Sequence, residues 1–319
     1  MIGRREVCML ADFAAKQTFS NLEMFKKAKA ASKLSWLKRD TTKFNTGSVA
    51  ITKNGVHISG LMESRTNLLD ITSEQATIAL SVSKKDPHIN EIVTVVEYEP
   101  GTEFLVSPIV IKILADHTRR TGTVINYTIF DKEGETLFTT SDASKVYNIY
   151  VPPILPLDKI KDWVPQANSH KITSEDKVLQ LRNAALKGME THFSADSKTS
   201  YGSAVIANGK LYFGGVYSSF DHRMNLHSEM VAALAAIMDG SRDIETVGII
   251  SNKFIDELPH MCGCCRQFFS EIQEKTKREI EVFVFSFDGK QVFRTKLNEY
   301  FPSSWHSGLS FDERQISKK

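Results

Sequence analysis

The sequence contains one pattern twice, at positions that differ by 155. Gly47 begins the stretch GSVAI, and Gly202 begins the similar stretch GSAVI. A Ser-Glu pair follows at the same distance in both copies and ends at Glu74 in the first and Glu229 in the second. Similarity at a single long offset, in a chain of 319 residues, indicates one domain present twice and excludes a solenoid of short repeats.

Both copies have the same order of predicted elements. An amphipathic helix comes first, over about residues 21–37 in one copy and 174–192 in the other. Two β-rich stretches follow, joined by Asn-Gly, which is typical of a hairpin turn. Further helices and strands then alternate, as in α/β proteins. We therefore predict two three-layer α/β/α domains.

The domain boundaries are predicted from a cluster of prolines. Residues 152–168 contain four of them, and proline resists incorporation into a helix or a central strand. We expect a first domain at 1–151, a linker at 152–168 and a second domain at 169–319.

The composition excludes several classes of protein. The 40 Lys and Arg residues nearly balance the 38 Asp and Glu residues, so a nucleic-acid partner is possible but not favoured. The first 50 residues are an exception, with ten basic and four acidic side chains. No apolar run approaches the ~18 residues that a membrane span needs, and no signal-peptide pattern is present. We expect a cytoplasmic protein without membrane contacts.

Three of the four cysteines lie within residues 262–265. This spacing cannot build a disulfide framework and is typical of a metal site. Cys262 and Cys265 form a Cys-x-x-Cys pair that, with His227, offers three soft ligands, and catalytic zinc sites combine three protein ligands with one open position. Cys264 is a possible fourth ligand, but at a helix start it would point away from the pair.

Both groups of ligands are predicted at helix starts. His227 precedes the apolar stretch Met230–Met238, and residues 262–265 precede the helical pattern RQFFSEIQEK. Helix N-termini carry unpaired N–H groups and a positive dipole end, which lower thiol pKa values. Two such ends could hold a dication between them, and Glu229 could reach the same pocket.

The motif His-Ser-Glu at 227–229, followed by Cys-Gly-Cys-Cys-Arg-Gln at 262–267, resembles the signature of the cytidine deaminase family. The resemblance covers nearly all of the second half. It implies cytidine-deaminase-like domains with a mixed central sheet. It also implies hydrolytic deamination of a cytosine-containing nucleoside or nucleotide to the uracil product and ammonia.

The resemblance assigns roles to individual residues. It implies Zn²⁺ held by His227, Cys262 and Cys265, with Glu229 as the residue that transfers protons to the ring and to the departing ammonia. Residues 300–301 resemble the family segment that reaches a neighbouring active site, although packing within the domain is equally compatible with the sequence. The resemblance also implies a homodimer.

The first half lacks the metal ligands. Thr72 occupies the repeat position of His227, and the stretch matched to the Cys-x-x-Cys helix, residues 107–112, contains no cysteine. Of the candidate metal ligands and Glu229, only Glu229 has an identical residue, Glu74, at its repeat position. We predict a degenerate first half and a catalytic second half, the reverse of the order known for two-domain cytidine deaminases.

The substrate contacts are less well defined by the sequence. The family binds ribose with Asn-x-Glu, whereas the matching positions here are Val216 and Ser218. Tyr217 and Phe220 complete the candidate substrate-binding set, and aromatic rings there could stack on a pyrimidine or pack in the core. Two alternatives to small-molecule deamination stay open. One is deamination of cytosine in single-stranded nucleic acid, and the other is a catalytically idle, zinc-stabilised assembly module.

Overall fold

The computed structural model describes residues 20–36, 44–64, 69–98, 106–147, 160, 162–172, 176–194, 198–219 and 221–304. The candidate substrate residue Phe220 and much of the predicted linker lie outside this set. Within it, we find no helix with both the length and the apolarity that crossing a membrane requires.

The described part of the first half alternates helices and strands. Their bounds are α1 (Asn21–Ser32), β1 (Thr46–Thr52), β2 (Val56–Gly60), α2 (Ser73–Ser83), β3 (Ile89–Val96), α3 (Pro108–Thr121), β4 (Asn126–Asp131) and β5 (Thr136–Thr140).

The second half repeats this order with one additional strand at its start and one short helix at its end. Its elements are β6 (Ser169–Lys171), α4 (Lys177–Met189), β7 (Tyr201–Ala207), β8 (Lys210–Gly215), α5 (Ser228–Met238), β9 (Ile244–Ser251), α6 (Gly263–Thr276), β10 (Glu281–Phe285), β11 (Val292–Lys296) and α7 (Leu297–Tyr300).

The two sheets have the same strand order. The first is β2-β1-β3-β4-β5, and the second is β8-β7-β9-β10-β11 with β6 added beside β8. In each sheet one internal pair is parallel, β3 with β4 and β9 with β10, and the other pairs are antiparallel. The predicted fold class, duplicated α/β/α domains with mixed central sheets, is confirmed.

The repeat extends to single residues. Gly47 pairs with Gly60 across β1 and β2, and Gly202 pairs with Gly215 across β7 and β8. The bounds of α2 and α5 differ by the same 155 positions, as do those of α3 and α6. A Cβ at Gly47 would lie 2.1 Å from the backbone of α1, and one at Gly202 would lie 2.1 Å from the backbone of α4. The repeated glycines therefore allow a helix to touch its sheet backbone to backbone.

Buried side chains alternate between the two faces of each sheet. In β1, Val49 packs with α1, whereas the next residue, Ala50, packs on the face that carries α2 and α3. In β7, Ala204 packs with α4 and Val205 with α5 and α6. The inner faces of both halves form one hydrophobic cluster, because α2 and α5 pack against each other in the middle of the molecule.

The first helices of the two halves are shorter than their patterns predict. α1 ends at Ser32, after which the chain turns and brings Trp36 beside Met62. α4 begins after Asp176, whose carboxylate caps the helix by accepting from the N–H of Val178.

Residues 166–169 contact both halves. The N–H of Gln166 donates to the carbonyl oxygen of Lys84 (2.8 Å), and the amide of Asn168 donates to the hydroxyl of Ser83 (2.9 Å). Immediately afterwards β6 joins the second sheet. The boundary between residues 151 and 152 stays a prediction.

Candidate metal centre

His227 occupies the N-cap position of α5. An N-cap side chain ordinarily accepts a hydrogen bond from the first turn, and Thr72, its counterpart in the first half, does so from the N–H of Gln75 (3.1 Å). The imidazole of His227 makes no such bond. Its Nδ1 instead faces the sulfur atoms of Cys262 and Cys265.

The second helix N-terminus brings the thiols. Cys262 is the N-cap residue of α6, and its side chain likewise makes no capping bond. Cys265 follows within the first turn and is buried, whereas Cys264 between them is exposed. The N-termini of α5 and α6 thus bring the side chains of His227, Cys262 and Cys265 together, as expected from the sequence.

The donor atoms fit zinc. Nδ1 of His227 lies 3.3 Å from Sγ of Cys262 and 3.4 Å from Sγ of Cys265, and all three atoms lie within 4.8 Å of one another. Tetrahedral zinc, with bonds of ~2.0 Å to nitrogen and ~2.3 Å to sulfur, would separate these atoms by about 3.6 Å. Among the described residues, this is the one group of three or more His, Cys, Asp or Glu side chains gathered in this way.

The two thiols differ in their electrostatics. The hydrogen bond from Cys265, together with that from His227, lowers the pKa of Cys262 to about 3. The hydrogen bond to Cys262, and then burial, raise the pKa of Cys265, and the contact with Cys262 raises that of His227. Because cysteine binds metals as the thiolate, a dication bound here would require both Cys262 and Cys265 to be deprotonated.

Glu229 lies beside the donors in the first turn of α5, with 3% of its surface exposed. The hydroxyl of Ser228 donates to its Oε2 (3.1 Å) and is itself hydrogen-bonded to Ser203 (2.8 Å). Burial raises the pKa of Glu229, while the neighbouring His227 opposes the shift, and a hydrogen bond links the carboxyl group to Cys265. Glu229 thus adjoins the three donors without being one of them.

The corresponding carboxylate of the first half is held by the sheet beneath it. Oε1 of Glu74 accepts from the hydroxyls of Tyr127 (2.8 Å) and Thr94 (3.0 Å). At these two repeat positions the second half has Val282 and Ile249, which have no hydroxyl to donate. Glu74 is therefore a structural group, whereas the carboxylate of the second half has no such anchors.

The first half also lacks thiols at the expected place. α3 begins 155 positions before α6, so that Ser107 stands where the second half has Cys262, and Val110 where it has Cys265. The predicted alignment of the two helices is therefore correct, and no metal donor is present on α3 at these positions.

The structure describes three of the four candidate substrate residues. Val216 and Ser218 are half-buried, whereas Tyr217 is 1% exposed. The hydroxyl of Tyr217 lies 3.4 Å from Nδ1 of His117 in the first half. Tyr217 therefore packs in the interface between the halves, and a role for it in substrate binding stays a prediction. Phe220 lies outside the described residues.

The side chains that fix the loop before Cys262 carry no signal in the sequence. The N–H of Met261 donates to the hydroxyl of Tyr300 (3.1 Å), and Nε of Arg266 donates to the carbonyl oxygen of Met261 (2.8 Å). The guanidinium group of Arg266 also lies 4.1 Å from the centre of the Tyr300 ring. Tyr300 thus packs within its own half, at a sequence separation of 39 from Met261 that no local pattern reveals.

Two cavities lie away from this group. One of about 370 Å³ borders α4 and the strands β9 to β11, and one of about 300 Å³ lies between the halves beside His57 and Tyr212. None of the three metal donors or Glu229 lines either cavity. The donor geometry, and not cavity volume, identifies the candidate site.

No family model and no curated protein sequence matches the chain. Among solved structures, a cytidine deaminase from Burkholderia pseudomallei is similar, with 22% identity over 42% of this chain and 100% of that one, and a TM-score of 0.37. A cytidine deaminase from Mycobacterium leprae has 19% identity over 40% of this chain and 100% of that one, with a TM-score of 0.32. One from Mycobacterium tuberculosis has 16% identity over 41% and 99%, with a TM-score of 0.33.

Proposed function

We propose that the protein is a zinc-dependent hydrolytic deaminase of a cytosine-containing nucleoside or nucleotide. The observation that carries the proposal is the meeting of two helix N-termini, at which one imidazole nitrogen and two thiol sulfurs lie within 4.8 Å beside a buried carboxyl group. The motif that these residues form resembles that of the cytidine deaminases.

Each residue has a defined task in this proposal. His227, Cys262 and Cys265 would hold the metal and leave one coordination position open. Zinc bound there would supply Lewis-acid activation of water at neutral pH. Ser228 would orient Glu229, since its hydroxyl donates to one of the two carboxylate oxygens.

Glu229 would move the protons of the reaction. It would accept a proton as water attacks C4 of cytosine and deliver that proton to ring N3. It would then carry the second proton from the new C4 hydroxyl to the departing amino group. The C4–O bond forms, the C4–N bond breaks, and one water and one cytosine yield one uracil and one ammonia.

The residues at the family's ribose-binding positions favour the base over the sugar as the main recognition element. Val216 cannot hydrogen-bond through its side chain, and Ser218 offers one hydroxyl where the family has Asn and Glu. A site that lacks such partners discriminates weakly between compounds that differ in a hydroxyl group. Activity should therefore extend to cytidine, deoxycytidine and their monophosphates.

The test is an assay of ammonia and uracil product with those four compounds, free cytosine and a cytosine-bearing oligonucleotide. Zinc is measured on the same sample. Turnover of a small molecule supports the proposal, and turnover of the oligonucleotide alone would assign the site to nucleic acid instead. Bound zinc without ammonia release from any compound would identify an idle, metal-stabilised module. The homodimer stays a prediction, which sedimentation analysis of the same sample checks.

Two matched variants test which cysteines bind the metal. Cys265→Ser should lose zinc, because it removes a buried donor. Cys264→Ser changes the exposed neighbouring thiol and should keep one zinc per chain. Equal loss in both variants would contradict the ligand assignment.

A further inference from the structure

The segment that leads into His227 is held by side chains of the first half. Residues 221–226 form the second part of the connection between β8 and α5 and end one position before the metal donor. The amide of Gln75, on α2, donates to the carbonyl oxygen of Met224 (2.9 Å). Nζ of Lys112, on α3, lies 2.9 Å from Oδ2 of Asp221.

Asp221 accepts several of the hydrogen bonds that hold this segment. Its carboxylate accepts from the backbone N–H of Arg223 (3.1 Å), from the Arg223 side chain (3.0 and 2.8 Å) and from Lys112. The side-chain hydrogen bonds from Arg223 and Lys112 hold the pKa of Asp221 well below its usual range. Because the side chains of Lys112 and Asp221 are only 27% and 13% exposed, their interaction is partly shielded from water.

The two residues that make these contacts are not repeated in the second half, although the fold is. The repeat counterpart of Lys112 is Gln267, whose amide donates to Glu271 on its own helix (3.0 Å). The counterpart of Gln75 is the apolar Met230. The first half, which lacks the metal donors, thus directs a lysine and a glutamine toward residues 221–226, at positions where the second half has a glutamine and a methionine.

We propose that the first half serves as a positioning domain, in which Lys112 and Gln75 fix residues 221–226 and thereby the approach of substrate beside His227. We call these contacts of Lys112 and Gln75 with residues 221–226 the clamp. The clamp is a property of the fold, whereas its effect on substrate binding rests on the proposed function. Lys112 belongs to the first half and is neither a proposed metal ligand nor the proposed proton-transferring residue, so it is a positioning residue.

The clamp is tested with Lys112→Met, which keeps the aliphatic stem and removes the charge. Amide hydrogen exchange of residues 221–226 should accelerate about fivefold, the effect expected of losing one partly shielded ion pair. KM for the best substrate of the panel should rise by a similar factor. The value of kcat and the zinc content should stay within twofold of those of the unaltered protein, because no catalytic group or donor has changed. Lys112→Arg should restore both exchange and KM.

The control is another ion pair between the halves. Nζ of Lys85 lies 2.7 Å from Oε2 of Glu190, and Lys85 is 17% exposed, so its burial resembles that of Lys112. Lys85→Met should leave exchange in 221–226 and KM unchanged. Equal effects of the two substitutions would mean a general loosening of the interface and would overturn the proposal.

A second variant guards against a folding defect in the first. Asp221→Asn removes the same ion pair from the other side, and a double substitution with Lys112→Met should add little to either single change. If exchange responds but no cytosine compound is turned over, the clamp stands and the proposed function fails. If turnover is normal and exchange in 221–226 does not respond in either variant, the clamp fails and the function stands.

Discussion

Glu229 and Glu74 occupy the same repeat position and are both buried. Glu74 is fixed by the hydroxyls of Tyr127 and Thr94, whereas Glu229 lies beside the metal donors. We expect Glu229→Gln to lower turnover at least about 100-fold, because the amide cannot carry protons. Zinc content, measured by elemental analysis, should be unchanged.

The matched control is Glu74→Gln. An amide at this position keeps an oxygen that can accept from Tyr127 or Thr94, and it lies in the half without metal donors. Turnover should therefore remain near that of the unaltered protein. Loss of activity in this variant with retained activity in Glu229→Gln would reverse the assignment of the two halves.

Individual residues could be predicted where the chemistry depends on local spacing. Cys-x-x-Cys fixes two thiols on one helical turn, and His227 and Glu229 are two positions apart at another helix start, so the sequence alone indicates this group. Lys112 and Asp221 are 109 positions apart, and both are ordinary surface residue types. Their contact depends on how the two halves pack against each other, and the spacing of residues along the sequence does not predict that packing. For Tyr217 the sequence is compatible with both a pocket and the core, and its packing against the first half is seen only in the structure for the same reason.

The helix-to-sheet contacts of both halves depend on glycine. A Cβ at Gly202 would lie 2.1 Å from a carbonyl oxygen of α4 and 2.4 Å from a backbone nitrogen of the same helix. We expect Gly202→Ala to lower the free energy of unfolding by about 3 kcal/mol, because the helix must move away from β7. Urea denaturation measures this change.

Gly55→Ala is the control for that substitution. A Cβ at Gly55 would meet no atom within 4 Å, and its backbone is not in the left-handed region. The free energy of unfolding should change by no more than about 0.5 kcal/mol. A large loss in Gly55→Ala, or none in Gly202→Ala, would contradict the account of the repeated glycines.

Asp86 ties the turn between β1 and β2 to the end of α2. Its carboxylate interacts with His57 (2.9 Å), accepts from Asn54 (2.8 Å) and accepts from the hydroxyl of Thr52. Burial raises the pKa of Asp86, but these hydrogen bonds together lower it below the ordinary 3.8. The ionised carboxylate therefore stabilises the fold above the unfolded-state pKa, and this contribution is lost as the pH falls through the lowered folded-state value.

We expect Asp86→Asn to cost about 2 kcal/mol of unfolding free energy at pH 7, since it weakens several hydrogen bonds to a buried charge. The difference from the unaltered protein should shrink as the pH falls below about 4. Urea denaturation over this pH range measures it, with the exposed Asp162→Asn as the control that should show no difference. A difference that is independent of pH would mean that the carboxylate charge is not involved.

The order and type of the helices and strands could be predicted, but some of their ends could not. Apolar periodicity continues beyond Ser32 and suggested a helix to residue 37, whereas the chain turns there so that Trp36 can pair with Met62. Tertiary contacts override local pattern at such positions. β6 was not anticipated either, because a three-residue strand carries no periodicity of its own.

The duplication predicts two domains, but not that they share a core. Buried residues on the inner faces of both sheets belong to one cluster, and polar contacts cross the same interface. The N–H of Gly60 lies 3.3 Å from the sulfur of Met238, and the hydroxyl of Ser64 donates to Glu271 (3.0 Å). In the sequence, the sheet face that packs against the other half has the same hydrophobic pattern as any buried face. The surface that covers it is therefore known only from the structure. Two halves joined in this way should not unfold separately.

This cooperativity can be measured with a probe in each half. Trp36 is 7% exposed in the first half, with the guanidinium group of Arg242 from the second half 5.9 Å from its ring centre. In the variant Trp163→Phe with Trp305→Phe, Trp36 is the remaining tryptophan of the three. Its fluorescence reports the first half, and zinc release to a chromogenic chelator reports the second. We expect both transitions to share one denaturant midpoint.

Removal of the metal extends the same test. If zinc binds only the native second half, as proposed, it should stabilise whatever unfolds together with that half. A chelator should therefore lower the midpoint of Trp36 fluorescence as well, although Trp36 lies in the half without metal donors. A Trp36 transition that is unaffected by the chelator would show that the halves unfold independently. If the halves unfold independently, the first half could stay folded without holding a metal-free second half in place through Lys112. The measurement therefore also tests the clamp.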